Sequence, residues 1–505
     1  MNSGPPAAPA VQASMIQAPP GPAGFVPFVW GEMNILVCGA LLYTGQRLVA
    51  RLLDERTGPV RLLVRDARRL PEQLRQHTEV IEGDLLDPQV LRQAAHGMDV
   101  AYYPVRPLGT HRGFENLSMA FAERFREACI ERGVRRIVYF GVEGVRDSSS
   151  SLLRDMASTG EILSARPGEI QTVWLKAGVV IGSGSLFFEM LRHLVRNAPV
   201  IFSPRWMRRG AKPASIEDAV EFLSGARSLS VGGNVIIDIG AEAVSLEDML
   251  SVTAAVMGVK RAIVHVPFTL PRLSSLYLML LTPLSYRLAS AVVQALDAAG
   301  AEEPPASHFH HASLTLLKQI IEKAMEDVVY QRVPDRWTDS LVDVSYAFSE
   351  ADLDRAVYRD VKTVDFGNVP AGRIFSAVKS VGGRRGWFTF DVLWQIRGLM
   401  DKFMGGFGTS VGRRVETDLR IGDMLDVWRV VDLIEDKRLL LEAQMQVFGK
   451  AWLEFRIDNR TLTQTAYHVP SGVLGRLYWY AMLPFHAFIF RDMIESIVRR
   501  AEQME

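Results

Sequence analysis

Cysteine is scarce: Cys38 and Cys129 are the only two in 505 residues. A disulfide framework needs more, so packing alone must hold the chain, and two isolated thiols suit a reducing compartment. An excess of one charge is also missing. Lysine plus arginine equals aspartate plus glutamate at 57 each, so the basic footprint of a nucleic-acid binder is absent. No apolar run reaches the ~20 residues that span a bilayer. The longest, residues 273–286 and 477–490, are interrupted by Pro283 and Pro484. Both read as buried helices, with a surface-lying amphipathic segment as the alternative. No basic region precedes an apolar core near the start, which excludes a secretory signal and makes the cytoplasm the expected location. Ser–His–Asp, HExxH, CxxC and P-loop patterns are likewise absent.

What is present is an average globular composition, 48% apolar and 23% charged, in a chain long enough for two to four domains at ~100–200 residues each. Residues 1–32 hold seven prolines among Ala, Gly, Ser and Gln; they bury too little to offset ordering and read as a flexible leader. Over residues 33–258, short apolar runs (MNILVCGA, PVRLLVR, TEVIEGDL, MDVAYYPV, VRRIVYFGV, IQTVWLKAGVV) alternate with helical patterns. That alternation predicts an α/β doubly wound parallel sheet with helices on both faces. Residues 259–358 read as a helix-rich extension, interrupted by PPASHFHH. His308, His310 and His311 there have no further ligands at suitable spacing, so a solvated loop is expected and no metal.

Residues 359–505 change pattern again. VKTVDFGNVPAGRIFSAVKSVGG reads as strand, turn and helix. In LLLEAQMQV, Leu441, Ala443, Met445 and Val447 share one face and Glu442, Gln444 and Gln446 the other, the period of a half-buried strand. Its neighbours DVWRVVDLI, AWLEFRI and LTQTAYHV are separated by short turns, as in antiparallel hairpins. One long helix, bent near Pro484, closes the chain. A curved sheet gripping a helix encloses an apolar pocket between the two.

After the first strand comes CGALLYTG, residues 38–45. A dinucleotide site needs glycines for the tight turn and for helix packing, and a helix N-terminus for the phosphates. Gly39 and Gly45 keep the outer spacing of GxxGxxG. The middle position is Leu42, whose side chain crowds the path of the pyrophosphate. Arg65 ends the second strand, where an arginine suits a ribose 2′-phosphate. Asp84 and Leu85 end the third, where the carboxylate can meet an adenine amino group; a solvated strand end and a helix cap are the plainer alternatives.

With these motifs, residues 33–355 resemble the atypical short-chain dehydrogenase/reductase group, in its NmrA-like NAD(P)-binding branch. That branch's glycine loop reads TGATGYIG. The likeness continues through AYYPV, RRIVYFG, AGVVIGSGSLFFEMLRHLV, PRWMRRGAKPASIEDAVEFL and LSSLYLMLLTPL. Residues 361–505 resemble the C-terminal module of unknown function that accompanies this branch in bacterial proteins, through GWFTFDVLWQIRGLMDKFMGG, RIGDMLDVWRV, GKAWLEF, LTQTA and GRLYWYAMLPFHAFIF. The resemblance implies a Rossmann-like domain binding NADP(H), and a helix-grip, START-like fold over residues 359–505. The chain departs from the branch at Leu41 and Leu42, and it has no Tyr-x-x-x-Lys after the fifth strand to supply a proton.

Candidates for chemistry therefore come from two places. Tyr102, Tyr103 and Arg106 follow the fourth strand, Glu143 the fifth and Lys176 the sixth, at the strand ends where doubly wound sheets bind ligands. Trp387, Asp391, Arg397, Glu442, Trp452, Gln464, Tyr467 and His468 would line the helix-grip cavity. Each has a plainer reading, as a capped, solvated or core residue. Three functions follow: an NADP(H)-dependent oxidoreductase acting on a hydrophobic carbonyl or enone; a non-redox cyclase, dehydratase or lyase acting on a polyketide- or lipid-like substrate, with a degenerate nucleotide site; or a non-catalytic ligand-binding sensor. All three imply a hydrophobic small-molecule partner, and homo-oligomeric assembly stays open.

Overall fold

A computed structural model of the chain describes residues 32–104, 114–142, 150–240, 243–268, 270–299, 316–340, 348–388, 391–416, 418–445 and 447–504. Arg106, Glu143, His308, His310 and His311 lie outside the described residues, as does all of the Pro-rich leader but its last position.

Seven strands form one parallel sheet: β1 (Ile35–Cys38), β2 (Val60–Val64), β3 (Glu79–Glu82), β4 (Val100–Tyr103), β5 (Arg136–Val142), β6 (Gln171–Ala177) and β7 (Val235–Ile239). Their order is β7-β6-β5-β4-β1-β2-β3, with every neighbouring pair parallel. The chain thus winds outward both ways from β1, the Rossmann-like arrangement. The central strands β1 and β4 are apolar and buried throughout because both their faces are covered, whereas the edge strand β3 leaves Glu79 and Glu82 exposed. Ile35, Val37, Leu62 and Tyr102 face one core, and Leu36, Cys38, Leu63 and Tyr103 face the other. Helix α1 (Tyr43–Asp54) covers the first core. Helices α2 (Pro88–Ala95), α3 (Phe114–Glu131) and α4 (Ser151–Ser164) cover the second.

After α5 (Leu186–Asn197), helix α6 (Ile216–Gly225) packs on α1, with Ala219 and Leu223 in the first core; a further apolar cluster joins α5 and α7 (Leu246–Val256) to α8 (Pro271–Leu281), α9 (Tyr286–Ala299) and α10 (Leu317–Val329). Leu194 and Leu250 pack there with Leu278, Leu288, Ile320 and Trp337. The segment Ala262–His265, inside the stretch read as helix-rich, is a strand paired in parallel with Val200–Ser203. Packing therefore continues across position 258.

The C-terminal region carries a separate antiparallel sheet of β8 (Tyr358–Asp365), β9 (Met424–Leu425), β10 (Trp428–Ile434), β11 (Arg438–Ala443), β12 (Gly449–Asp458) and β13 (Thr461–Pro470), in the order β8-β13-β12-β11-β10-β9. Leu439, Leu441, Leu453, Phe455 and Leu462 meet α11 (Ala371–Lys379) and the second half of α13 (Gly472–Glu502). Helix α12 (Asp391–Phe403) lies between them in sequence.

Three expectations are corrected. Strand β11 stops at Ala443 rather than Val447. Its second face is not wet, because Leu440 packs with Leu353, Val431 and Trp452. And residues 477–490 are not a buried helix: Leu477, Tyr480, Leu483, Phe485 and Phe488 are exposed, since a sheet face covers only one stripe of a helix, here the stripe of Trp479, Ile489 and Phe490. Among the described residues no helix is long and apolar enough to cross a membrane.

Candidate nucleotide site

The turn from β1 into α1 demands its glycines. Gly39 has φ +93°, a conformation L side chains rarely adopt. A Cβ on Gly45 would lie 2.1 Å from the Gly39 carbonyl oxygen, so α1 can seat against the turn only with glycine there. Leu42 is the N-cap of α1 and offers no side-chain cap. Its buried isobutyl group folds back over the turn, reaching to 3.0 Å from where a Gly39 Cβ would stand, with Pro104 at 3.1 Å.

The first backbone N–H groups of a helix lack intrahelical acceptors and favour anions. In α1, the N–H of Tyr43 donates to Ser340 Oγ at 3.2 Å. Ser340 closes a short helical turn, Trp337–Ser340, which lies against α1. One turn along, Arg47 Nε donates to Asp335 Oδ1 at 2.9 Å, and Arg47 Nη2 donates to the Ser183 carbonyl at 2.8 Å. The Tyr43 hydroxyl donates to that same carbonyl. Burial pushes the Asp335 carboxyl up to about 7, against the pull of Arg47.

At the other end of the sheet edge, Arg65 lies 3.8 Å from Asp84 Oδ1, with side chains 20% and 65% exposed. Asp84 also accepts from the Leu86 N–H, as a turn former, and Leu85 packs on the core beneath. Arg68 and Arg69 follow Arg65 closely; Arg68 pairs with Asp66.

For a dinucleotide the two ends differ. At one end Arg65 and Asp84 offer a guanidinium and a largely exposed carboxylate. The diphosphate end does not fit as it stands, because the Tyr43 N–H is taken by Ser340 and the turn is covered by Leu42.

The strand-end candidates are not gathered at this site. Tyr102 is fully buried, and its hydroxyl donates to the Leu223 carbonyl at 3.0 Å; burial raises its pKa. Tyr103 points to the opposite core, where Phe121, Phe125 and Tyr139 surround it. Lys176 is buried with its ammonium 4.2 Å above the Trp174 ring.

The C-terminal candidates divide between the two faces of their sheet. Gln464 and His468 stand on the helix side of β13, with Leu462 and Ala466. Tyr467, Trp452, Glu442 and Glu454 stand on the other side. His468 stacks on Trp479 at 5.7 Å and its Nε2 contacts the Val447 carbonyl at 3.1 Å; burial lowers its pKa. The Tyr467 hydroxyl donates to Glu454 at 2.7 Å, and burial, with that carboxylate, raises it to about 12. Trp387 donates to Asp426 at 2.9 Å. Asp391 opens α12, its side chain outside what is described, and Arg397 lies half-buried on the same helix. One cavity lined by all of these is not assembled. Among the described residues no cluster of metal-ligating side chains occurs.

Sequence reasoning missed Ser340, Asp335, Arg47 and Tyr43. Tyr43 and Ser340 are 297 residues apart, and no local pattern joins them.

Residues 39–166 match the family described as NAD(P)H-binding, and residues 353–493 match a family described as a protein of unknown function, DUF2867. No curated protein matches by sequence. Among solved structures, triphenylmethane reductase from Citrobacter sp. is 16% identical, with 58% of this chain and 99% of that one covered at TM-score 0.48. A nucleoside-diphosphate-sugar epimerase from Staphylococcus aureus is 12% identical, with 57% and 100% covered at TM-score 0.46. MoeE5 in complex with UDP-glucuronic acid and NAD is 20% identical, with 46% and 86% covered at TM-score 0.38.

Proposed function

We propose that this chain is an oxidoreductase-type protein that recognises NADP(H), with a hydrophobic carbonyl or enone as its substrate class. The observation that carries the reading is the pairing of Arg65 with Asp84 at the ends of β2 and β3, beyond a turn that only Gly39 and Gly45 can make. Guanidinium supplies charge and paired donors to a phosphate, and the carboxylate accepts from an amino group. The match of residues 39–166 to an NAD(P)H-binding family supports it further. No hydride-transfer step is assigned, since the diphosphate end does not fit in this arrangement. The test is calorimetric titration with NADPH and NADH: a preference for NADPH is expected, and equal affinity for the two would overturn the assignment of Arg65.

A second reading, a nucleotide- or lipid-responsive binding protein without turnover, is favoured by one observation. Tyr102, Tyr103 and Lys176 are all built into the cores, leaving none of them as a proton donor at the crevice. NADPH oxidation in the presence of an enone such as trans-2-nonenal would reject it.

A further inference from the structure

We propose that residues 335–340 are a built-in occupant of the diphosphate position at the N-terminus of α1, pinned there by the C-terminal module, so that this module governs nucleotide access. The proposal rests on the NADP(H) reading above.

The segment presents the chemistry a diphosphate would. The Ser340 hydroxyl accepts from the Tyr43 N–H, one of the donors that a phosphate oxygen otherwise takes at such a helix end. The Asp335 carboxylate supplies the negative charge, held by Arg47 on the next turn. Asp335 is fully buried, and its Oδ2 has no hydrogen-bond partner among the described residues. The segment is tied to the Rossmann-like domain besides: the Trp337 N–H donates to the Gly184 carbonyl at 2.8 Å, and Arg69, just beyond β2, donates to the Asp339 carbonyl at 3.4 Å.

Its other side is held by the C-terminal module. Arg414 donates to the Val333 carbonyl and Arg420 to the Pro334 carbonyl. Arg420 also lies 3.8 Å from Asp339. In the opposite sense, Arg336 donates to the Val411 carbonyl at 2.8 Å. Asp423 locks Arg414 at 3.0 Å and Arg420 at 3.5 Å. Ser340 itself contributes one neutral hydrogen bond, which a charged phosphate would outcompete. The arginine clamps make its departure costly, because they tie it to the whole module.

The test uses the full chain and two probes. Adenosine 2′-monophosphate reaches only the Arg65 end; NADPH must also reach the α1 N-terminus. Ser340→Gly should tighten NADPH about tenfold, the equivalent of one competing hydrogen bond, and leave the 2′-monophosphate unchanged. Ser340→Asp, which places a charged acceptor at the helix end, should weaken NADPH. Arg420→Gln, which loosens the clamp without touching Ser340, should again tighten NADPH. If the 2′-monophosphate binds but NADPH affinity is the same in all four proteins, the occupant proposal falls and the NADP(H) reading stands. If the 2′-monophosphate does not bind at all, both fall.

Discussion

The ammonium of Lys402 on α12 donates to the carbonyl oxygen of Met279 at 2.8 Å, and to that of Thr282 at 2.9 Å. These carbonyls end α8, where unsatisfied acceptors and the helix dipole favour a cation. Lys402 is therefore a bolt between the C-terminal module and the cluster of helices to which α8 belongs.

Burial lowers Lys402 from 10.5 to about 8. Between those values the unfolded chain holds a proton that the folded protein has released. The unfolded state then binds more protons, so this residue makes stability rise with pH across that window. The gain approaches about 1.4 kcal/mol per pH unit. Urea unfolding of the native protein and of Lys402→Met from pH 7.5 to 10 checks it: the stability difference should move in favour of the native chain as pH rises. Parallel profiles would show that Lys402 is not buried in solution.

Arg47 and Asp335 form a pair in which the carboxylate has no exposure. At about pH 8 or above, where the Asp335 carboxyl is ionised in the native protein, Arg47→Ala strips the charge that offsets its burial, which should cost about 3–5 kcal/mol. Arg47→Ala combined with Asp335→Asn removes the stranded charge and should recover most of the loss. Equilibrium denaturation of the three variants decides; equal destabilisation in the single and double variants would mean that the pair is not formed.

How far the sequence disclosed this arrangement depends on distance along the chain. The turn at Gly39 and Gly45 and the first six strands are local patterns that could be read directly; the seventh, Val235–Ile239, was not among the runs the sequence pointed to. The strand-end rule failed for Tyr102 and Tyr103, because adjacent residues on a strand face opposite cores and both cores here are covered by helices. Parity on β13 already separated Gln464 and His468 from Tyr467, so the split of the proposed cavity was legible but unread. The Ser340 contact was not legible: only the folded chain brings the end of one segment to the start of a helix 297 positions earlier.

Arg65 should set cofactor choice. Arg65→Ala removes the guanidinium opposite the 2′-phosphate and should reduce NADPH affinity about tenfold or more while sparing NADH, since one charge-assisted contact is at stake. Isothermal titration with both nucleotides measures this. A parallel fall for both would relocate Arg65 to a structural role in holding Asp84.

Gly45 tests the turn itself. Its absent Cβ would stand 2.1 Å from the Gly39 carbonyl oxygen and 3.2 Å from the Ala40 Cα. Backbone cannot yield as a side chain can, so Gly45→Ala should destabilise by at least about 3 kcal/mol, at the upper end for overpacking. A variant of native stability would mean that α1 does not seat against the turn this closely.

Gln464 stands in the C-terminal core at 1% exposure, with neither its Oε1 nor its Nε2 hydrogen-bonded among the described residues. Across β13 it faces Lys362 on β8 and Phe455 on β12. An amide desolvated without partners costs about 1–3 kcal/mol, and replacing it by an apolar group of the same shape removes that cost without opening a hole. Gln464→Met should therefore stabilise the protein by about 1–2 kcal/mol, read as a higher urea midpoint with an unchanged slope. Gln464→Ala, which removes the amide but leaves a void, should gain nothing or lose. A lower midpoint for the methionine variant would show that the amide is satisfied in solution, by a water or a bound molecule, and native mass spectrometry of the purified chain would tell these two apart.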